Sequence, residues 1–390
     1  MPAIIFNKTH FFYSPNKVVF GPDTIKSLGS EALQFGAKKV LIVTDPGVAK
    51  ADLLKPVKAS LESAGIPFII YDRVEPEPPI RCVKEATDLF LSERCDVIVG
   101  IGGGSSLDVA KGVSVLATNR GNLLDIVGID VVKKRGIPKI LIPTTSGTGS
   151  EVTRVLVVTD EEDNTKKVVN SIYALADLAL VDPLLTLSVP PKVTADTGTD
   201  ALVHAIETYV SMNATPFSDI LGEKAIRWIA QYLPTAWAKG SNLEARYFMS
   251  LAATVAGMAF ASGGLGAVHA LAYPVGTEYH LPHGRSNAIM LPHIMKFNLS
   301  GNPEKYANVA AFMGKETEGL PAVKGALLAI EAVQELLETL QIPYRLRDYG
   351  VSKKDFPKFV EGGMKFARLF VPNPRDLTEE DVLSIYEEAY

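Results

Sequence analysis

Four short apolar runs separated by helical stretches constrain the fold of this chain more than any other feature. They are KVLIVT at 39–44, PFIIY at 67–71, DVIVGI at 96–101 and KILIP at 139–143. None alternates apolar with polar residues. Each is apolar on both faces, as a strand must be when helices cover both sides of a parallel sheet. Polar–apolar stretches with helical periodicity follow the first run, to about Ala64, and the second, over 80–93. This rhythm predicts an α/β domain with a doubly wound, Rossmann-like parallel sheet. The pattern stops at Ser188-Val189-Pro190-Pro191. Beyond it β-rich runs almost vanish, and helical periodicity holds over 201–210, 218–232, 243–261, 323–340 and 353–369. We therefore expect an α/β domain over 1–190 and an all-helical domain over 191–390, and 390 residues leave room for both.

Two turns in the first half are built for a ligand. Gly102-Gly103-Gly104-Ser105-Ser106-Leu107-Asp108 leaves a strand and opens a helix. Glycine lets backbone approach a ligand closely, and free N–H groups at a helix start suit a phosphate. We read this run as binding a dinucleotide diphosphate, with Asp108 included in the contact set. Thr144-Thr145-Ser146-Gly147-Thr148 ends the next strand and is crowded with hydroxyls. Two polar turns at strand C-termini are where ligands bind in open α/β sheets. Asp45 also follows a strand. A carboxylate there accepts from ribose hydroxyls and repels a 2′-phosphate, which favours NAD over NADP.

The helical half carries a candidate metal site. Asp200 and His204 lie four apart, on one face of a helix. His269, His280 and His283 follow within a short span, while His10 and His293 are isolated. One carboxylate with three imidazoles suits Fe²⁺, Zn²⁺, Co²⁺ or a similar ion, and no thiolate singles out zinc. Such a site carries net +1, which favours the anionic form of an alcohol.

Composition narrows the function classes. A net charge of −5 provides no dominant basic patch and argues against nucleic acid. Cys82 and Cys95 fit neither a CxxC pair nor a zinc cluster, so we expect two reduced thiols in a cytoplasmic protein. The segment MPAIIFNKTHFF lacks a basic n-region followed by an apolar core, and we expect no signal peptide. Residues 247–277 carry no formal charge, a length that spans a bilayer. They also contain Gly257, Gly263, Gly264, Gly266, His269, Pro274 and Gly276. We expect a buried helix and a glycine-rich loop there, with no membrane partner.

The motifs GGGSSLDVAK at 102–111, PTTSGTGSE at 143–151, VDP at 181–183, TDALVHAIE at 199–207 and VHALAYP…LPHG at 268–284 occur in an order that resembles one family. Over nearly the whole chain, the sequence resembles the iron-containing (group III) alcohol dehydrogenases of the dehydroquinate synthase-like fold. The resemblance implies metal ligation by Asp200, His204, His269 and His283, with Fe²⁺ expected and Zn²⁺ or another divalent ion open. It implies NAD held by Asp45, Gly102, Gly103, Gly104, Ser105, Thr144, Thr145 and Thr148, with Lys167 near the nicotinamide ribose. It also implies a homodimer and hydride transfer between NAD(H) and a small primary alcohol, diol or matching aldehyde. Tyr273 stands where many members carry histidine, and Thr277 where many carry glycine. We expect Tyr273 in the active site, shaping the pocket and orienting substrate. Glycerol dehydrogenase and dehydroquinate synthase relatives resemble a three-ligand pattern, against which the Asp200/His204 pair argues. Two further readings are a hydroxyacid–oxoacid transhydrogenase with tightly bound nucleotide and a non-catalytic dinucleotide-binding protein with a structural metal.

Overall fold

The computed structural model describes residues 9–163 and 165–390; the first eight residues of the N-terminal segment judged above lie outside them. The strands are β1 (Val18–Phe20), β2 (Val40–Val43), β3 (Phe68–Tyr71), β4 (Val97–Gly102), β5 (Gly128–Ile129), β6 (Lys139–Pro143), β7 (Val155–Asp160), β8 (Thr165–Asn170) and β9 (Leu178–Val181). Six of them form one parallel sheet in the order β1-β9-β6-β4-β2-β3. The four apolar runs are its four inner and right-hand strands. β1 and β9 were not anticipated, and they complete the opposite edge. The crossover helices are α1 (Leu28–Gln34), α2 (Pro46–Lys50), α3 (Leu54–Ser63), α4 (Ile80–Ser92) and α5 (Gly104–Thr118).

Strand alternation explains why the cores of these runs are apolar at consecutive positions. Leu41 and Val43 pack with Val83 of α4 and Val113 of α5 on one face. Val40 and Ile42 pack with Leu28 of α1 and Leu61 of α3 on the other. Each such side chain contributes about 1.5–3 kcal/mol on full burial, so both faces reject polar residues. Crossovers from β2 and from β4 run in opposite directions along the sheet, which places the topological switch point between these two strands. A separate three-stranded sheet, β5-β8-β7, includes the β7–β8 hairpin.

From Pro191 on, the described chain is helical: α6 (Pro191–Val210), α7 (Pro216–Ala238), α8 (Leu243–Gly263), α9 (Ala267–Tyr279), α10 (His283–Asn298), α11 (Pro303–Phe312), α12 (Ala322–Thr339), α13 (Phe356–Met364) and α14 (Glu379–Ala389). The helical stretch expected over 353–369 is shorter than its periodicity suggested. Only α13 is α-helical, flanked by single 3₁₀ turns, because Pro357 fits only its first turn and Gly362-Gly363 weaken its end. The charge-free run over 247–277 forms α8 and α9, which meet at 111°. No single helix among the described residues is long and apolar enough to cross a membrane. Both cysteines are buried and free.

The two halves meet along α8. Ser146 and Ser250 hydroxyls lie 3.1 Å apart, and the Thr254 hydroxyl donates to Glu151 at 2.9 Å. This contact sets the helical half over the C-terminal ends of the strands, leaving a cleft between them.

Candidate functional site

The sheet wall of the cleft is made by two turns that touch. Gly102 ends β4 at φ +148°, a conformation other residues rarely adopt, and Gly103 caps α5. The Thr144 backbone N–H donates to the Gly102 carbonyl at 2.9 Å. A Cβ on Gly104 would lie 2.8 Å from Thr148 Cγ2, and one on Gly103 would lie 3.7 Å from Thr145 Oγ1. The first N–H groups of α5 lack intrahelical partners and open beside Ser105.

Asp45 follows β2 at the switch point. Its carboxylate caps α2 through Gly47 and Val48 N–H groups at 2.9 and 3.0 Å, and accepts from the Ser106 hydroxyl at 2.9 Å. Asp108, expected among the cofactor contacts, lines the cavity beside Gly104 and Ser105. Both of its oxygens are engaged inside the protein, by the Ser150 hydroxyl at 2.6 Å and the Val157 N–H at 2.9 Å. Lys111, fully buried, donates to Ser150, Thr153 and the Val155 carbonyl. Asp108 thus ties α5 to the segment after β6 while lining the cleft wall. Lys167, expected near the nicotinamide ribose, is placed differently. On β8 alternate residues face opposite sides. Lys167 turns to Asp163 and Asp160 at 2.6 and 3.3 Å, while Lys166 faces the cleft and pairs with Glu77.

The opposite wall holds the histidines. Asp200 and His204 project from the same face of α6, both buried. His269 comes from α9. His280 ends that helix at φ +51° and stays exposed, and His283 begins α10. α10 starts against α6: a Cβ on Gly284 would lie 2.2 Å from the Asp196 carbonyl oxygen, so only glycine fits. Arg285 clamps the same corner, bonding Asp196 at 2.5 Å and the Tyr349 hydroxyl at 3.2 Å. As a result, ligand atoms of Asp200, His269 and His283 all lie within 4.8 Å of one another. The His204 ring stacks on His269 at 4.9 Å, its Nδ1 buried without a partner. His293 lies elsewhere, bonded to the Tyr344 carbonyl at 2.8 Å.

The protonation balance suits a cation. Burial disfavours the charge on Asp200, but His204, His283 and His269 outweigh it and hold the carboxyl below its usual range. Burial pulls His204 down to about 4 and lowers His283. His269 differs. Burial lowers it, but the Glu207 carboxylate raises it by more. The Asn287 amide nitrogen sits 2.7 Å from Asp200 Oδ1, 3.2 Å from His269 Nε2 and 3.1 Å from His283 Nε2, and its own oxygen is orphaned. Three acceptors converging on one electropositive group form a donor set that fits a divalent ion.

Residues 15–183 match the family described as iron-containing alcohol dehydrogenase, and residues 194–390 match the C-terminal part of the Fe-containing alcohol dehydrogenase family. The chain belongs to the iron-containing alcohol dehydrogenases. Like the family, it is an oxidoreductase acting on CH–OH groups. It is 42% identical over 378 residues to the 1,3-propanediol dehydrogenase of Citrobacter freundii, covering 96% of this chain and 97% of that one. It is 38% identical over 381 residues to the NAD-dependent methanol dehydrogenase of Bacillus methanolicus, covering 98% and 100%. A crystal structure of a 1,3-propanediol oxidoreductase superposes with a TM-score of 0.96 at 41% identity, covering 98% of this chain and 100% of that one.

In this alcohol dehydrogenase a cavity of about 580 Å³ joins the two walls. Gly104, Ser105 and Thr148 line it on the sheet side, and Asp200, His204, His269 and His283 on the helical side. Tyr273 lies between them, stacked on His283 at 5.5 Å and against Phe366 at 4.7 Å. Thr277 is exposed and outside the cavity lining. Four residues of the site escaped sequence reasoning: Glu77, Lys166, Glu207 and Asn287. Two carried a signal. Glu207 continues the Asp200/His204 stripe by one more turn, and Asn287 lies four residues beyond His283 on α10.

Proposed function

We propose that this dehydrogenase moves a hydride between NAD(H) and a small primary alcohol, diol or matching aldehyde, at a divalent metal held by Asp200, His204, His269 and His283. The carrying observation is that one cavity joins the glycine turn at the switch point to the converging carboxylate and imidazoles. When bound, the metal supplies Lewis acidity that favours an alcohol's anionic form, and the nicotinamide supplies the hydride acceptor. The chain's own groups do the rest. Gly102, Gly103, Gly104 and Ser105 offer backbone and hydroxyl donors to the diphosphate, with Thr144, Thr145 and Thr148 lining the turn opposite. Asp45 faces the adenosine ribose and favours NAD. Phe260, Leu265 and Leu369 give the cavity apolar surface and displace water around the substrate. Tyr273 orients the substrate by its hydroxyl. Fe²⁺ is the ion proposed, in a cytoplasmic homodimer divided near residue 190. The names of relatives span 1,3-propanediol, methanol and lactaldehyde but also choline and long-chain alcohols, so they support an alcohol or aldehyde substrate without fixing its length. The test is metal analysis of purified protein with an NAD(H) assay across short alcohols and aldehydes. Turnover that ignores added NAD(H) and needs a second carbonyl substrate would indicate the transhydrogenase instead.

A further inference from the structure

We infer that Glu207 is a positioning residue for the metal: it fixes His269 with its proton on Nδ1, so that the Nε2 lone pair faces Asp200 and His283. The inference rests on the metal reading proposed above. Glu207 is 6% exposed and sits on the α6 face that carries Asp200 and His204. One oxygen lies 2.5 Å from His269 Nδ1, and the other accepts from the Val268 backbone N–H at 2.6 Å. A Cβ on Gly266 would come within 3.1 Å of the latter oxygen, so the glycine leaves the carboxylate its place.

Both partners of Glu207 present donors, and only a carboxylate offers an acceptor to each. A neutral imidazole carries one proton, so donating from Nδ1 leaves Nε2 free as an acceptor. That atom is the one 3.2 Å from the Asn287 amide, at the convergence with Asp200 and His283. The carboxylate also changes the local charge. With a divalent ion, Asp200 and Glu207 together bring the cluster to zero rather than +1. A carboxylate behind a ligating imidazole raises the basicity of that ligand and fixes its ring.

A purely structural role is the competing account, because Glu207 also satisfies an N–H in the first turn of α9. Glu207→Gln separates the two. Glutamine keeps the size and can accept from Val268, but its NH₂ then meets His269 Nδ1 and selects the opposite tautomer, with the proton on Nε2.

The experiment loads the enzyme with Co²⁺, titrates it with EDTA, and follows the visible ligand-field absorption alongside the melting temperature. The expected result is that Glu207→Gln releases Co²⁺ roughly 10- to 100-fold more readily, with a changed absorption band and a melting temperature within a few degrees of the parent. Parent-like retention and an unchanged band, even with a lowered melting temperature, overturn the inference and leave Glu207 a helix cap. Should Glu207→Gln not fold, the parent loaded with Zn²⁺ decides by ¹⁵N-histidine NMR. A proton on His269 Nδ1 supports the inference, and a proton on Nε2 overturns it. If the parent takes up neither ion, the ligand assignment itself fails and this inference falls with it.

Discussion

Single residues divide the cleft into groups that hold charge and groups that stay neutral. Burial and the nearby Glu77 carboxylate both raise the Tyr273 phenol well above its usual range. It therefore remains a neutral hydrogen-bond donor across the working pH range. Tyr273→Phe should keep much of the activity, and the kcat/KM profile between pH 6 and 10 should gain or lose no limb. Tyr273→His should change the ranking of alcohols by chain length; a ranking unchanged in both variants would remove Tyr273 from the substrate pocket. His283 contacts the cluster from the first residue of its helix, where its removal disturbs little packing. His283→Ala should therefore leave a folded protein that holds little metal and turns over slowly, read by metal analysis and circular dichroism. Asp45 serves two ends at once. Asp45→Gly should narrow the gap in kcat/KM between NAD and NADP, and it should lower stability by a few tenths of a kcal/mol, the usual loss when glycine replaces a capping aspartate. Equal kcat/KM for the two cofactors in the parent enzyme would refute the ribose role.

Elements decide which residues of a motif reach the cleft. In α5 the buried Lys111 and Asp108 bind the helix to the β7 side, so the phosphate-facing turn is held from behind. Asp108→Asn replaces the carboxylate that accepts from the Ser150 hydroxyl and the Val157 N–H and lies 3.5 Å from the buried Lys111 amine. It should destabilise the fold by about 1–3 kcal/mol in denaturant titration, the range for leaving a buried polar group unsatisfied, and weaken NAD binding as the turn loosens. β8 shows where reading the sequence stopped. Its alternation sends Lys166 inward and Lys167 outward, and a slip of one residue exchanges them. TKKVVN places two lysines side by side without saying which faces in. The inner strands β2, β4 and β6 were legible because their faces are both buried, and the edge strand β3 because its run is apolar throughout. β1, with three residues, is too short to show a period, and its partner β9 pairs with it across some 160 residues of sequence. Asp200 and His204 were legible from spacing on one helix. That a carboxylate and three imidazoles could meet was readable from the residues, but the choice of His269 and His283 came from the resemblance, since it depends on how α9 and α10 cross α6. Glu207 lay inside a quoted motif, yet its role depends on a contact with α9 that no local pattern encodes.

At the scale of the molecule, a ligand in the cleft touches both halves and so stabilises them together. Saturating NAD should raise the unfolding free energy by about 2.7 kcal/mol at a hundredfold excess over its Kd, seen as a higher melting temperature. Removing the metal with a chelator should abolish turnover while the far-ultraviolet circular dichroism persists, because three separate apolar clusters hold the fold without an ion. Loss of helical signal on chelation would make the metal structural. The sharp turn between α8 and α9 has a consequence in time. During synthesis the ligand list is complete once His283 emerges, but α9 then lacks its cover. Gly362 and Gly363 of α13 settle against Pro274 and Leu271, and the Tyr386 hydroxyl of α14 donates to the Leu271 carbonyl at 2.8 Å. Until those residues leave the ribosome, a charge-free apolar segment waits in the open with its histidine. A nascent chain halted before residue 362 should accordingly be a client for chaperones, and one released after residue 386 should not.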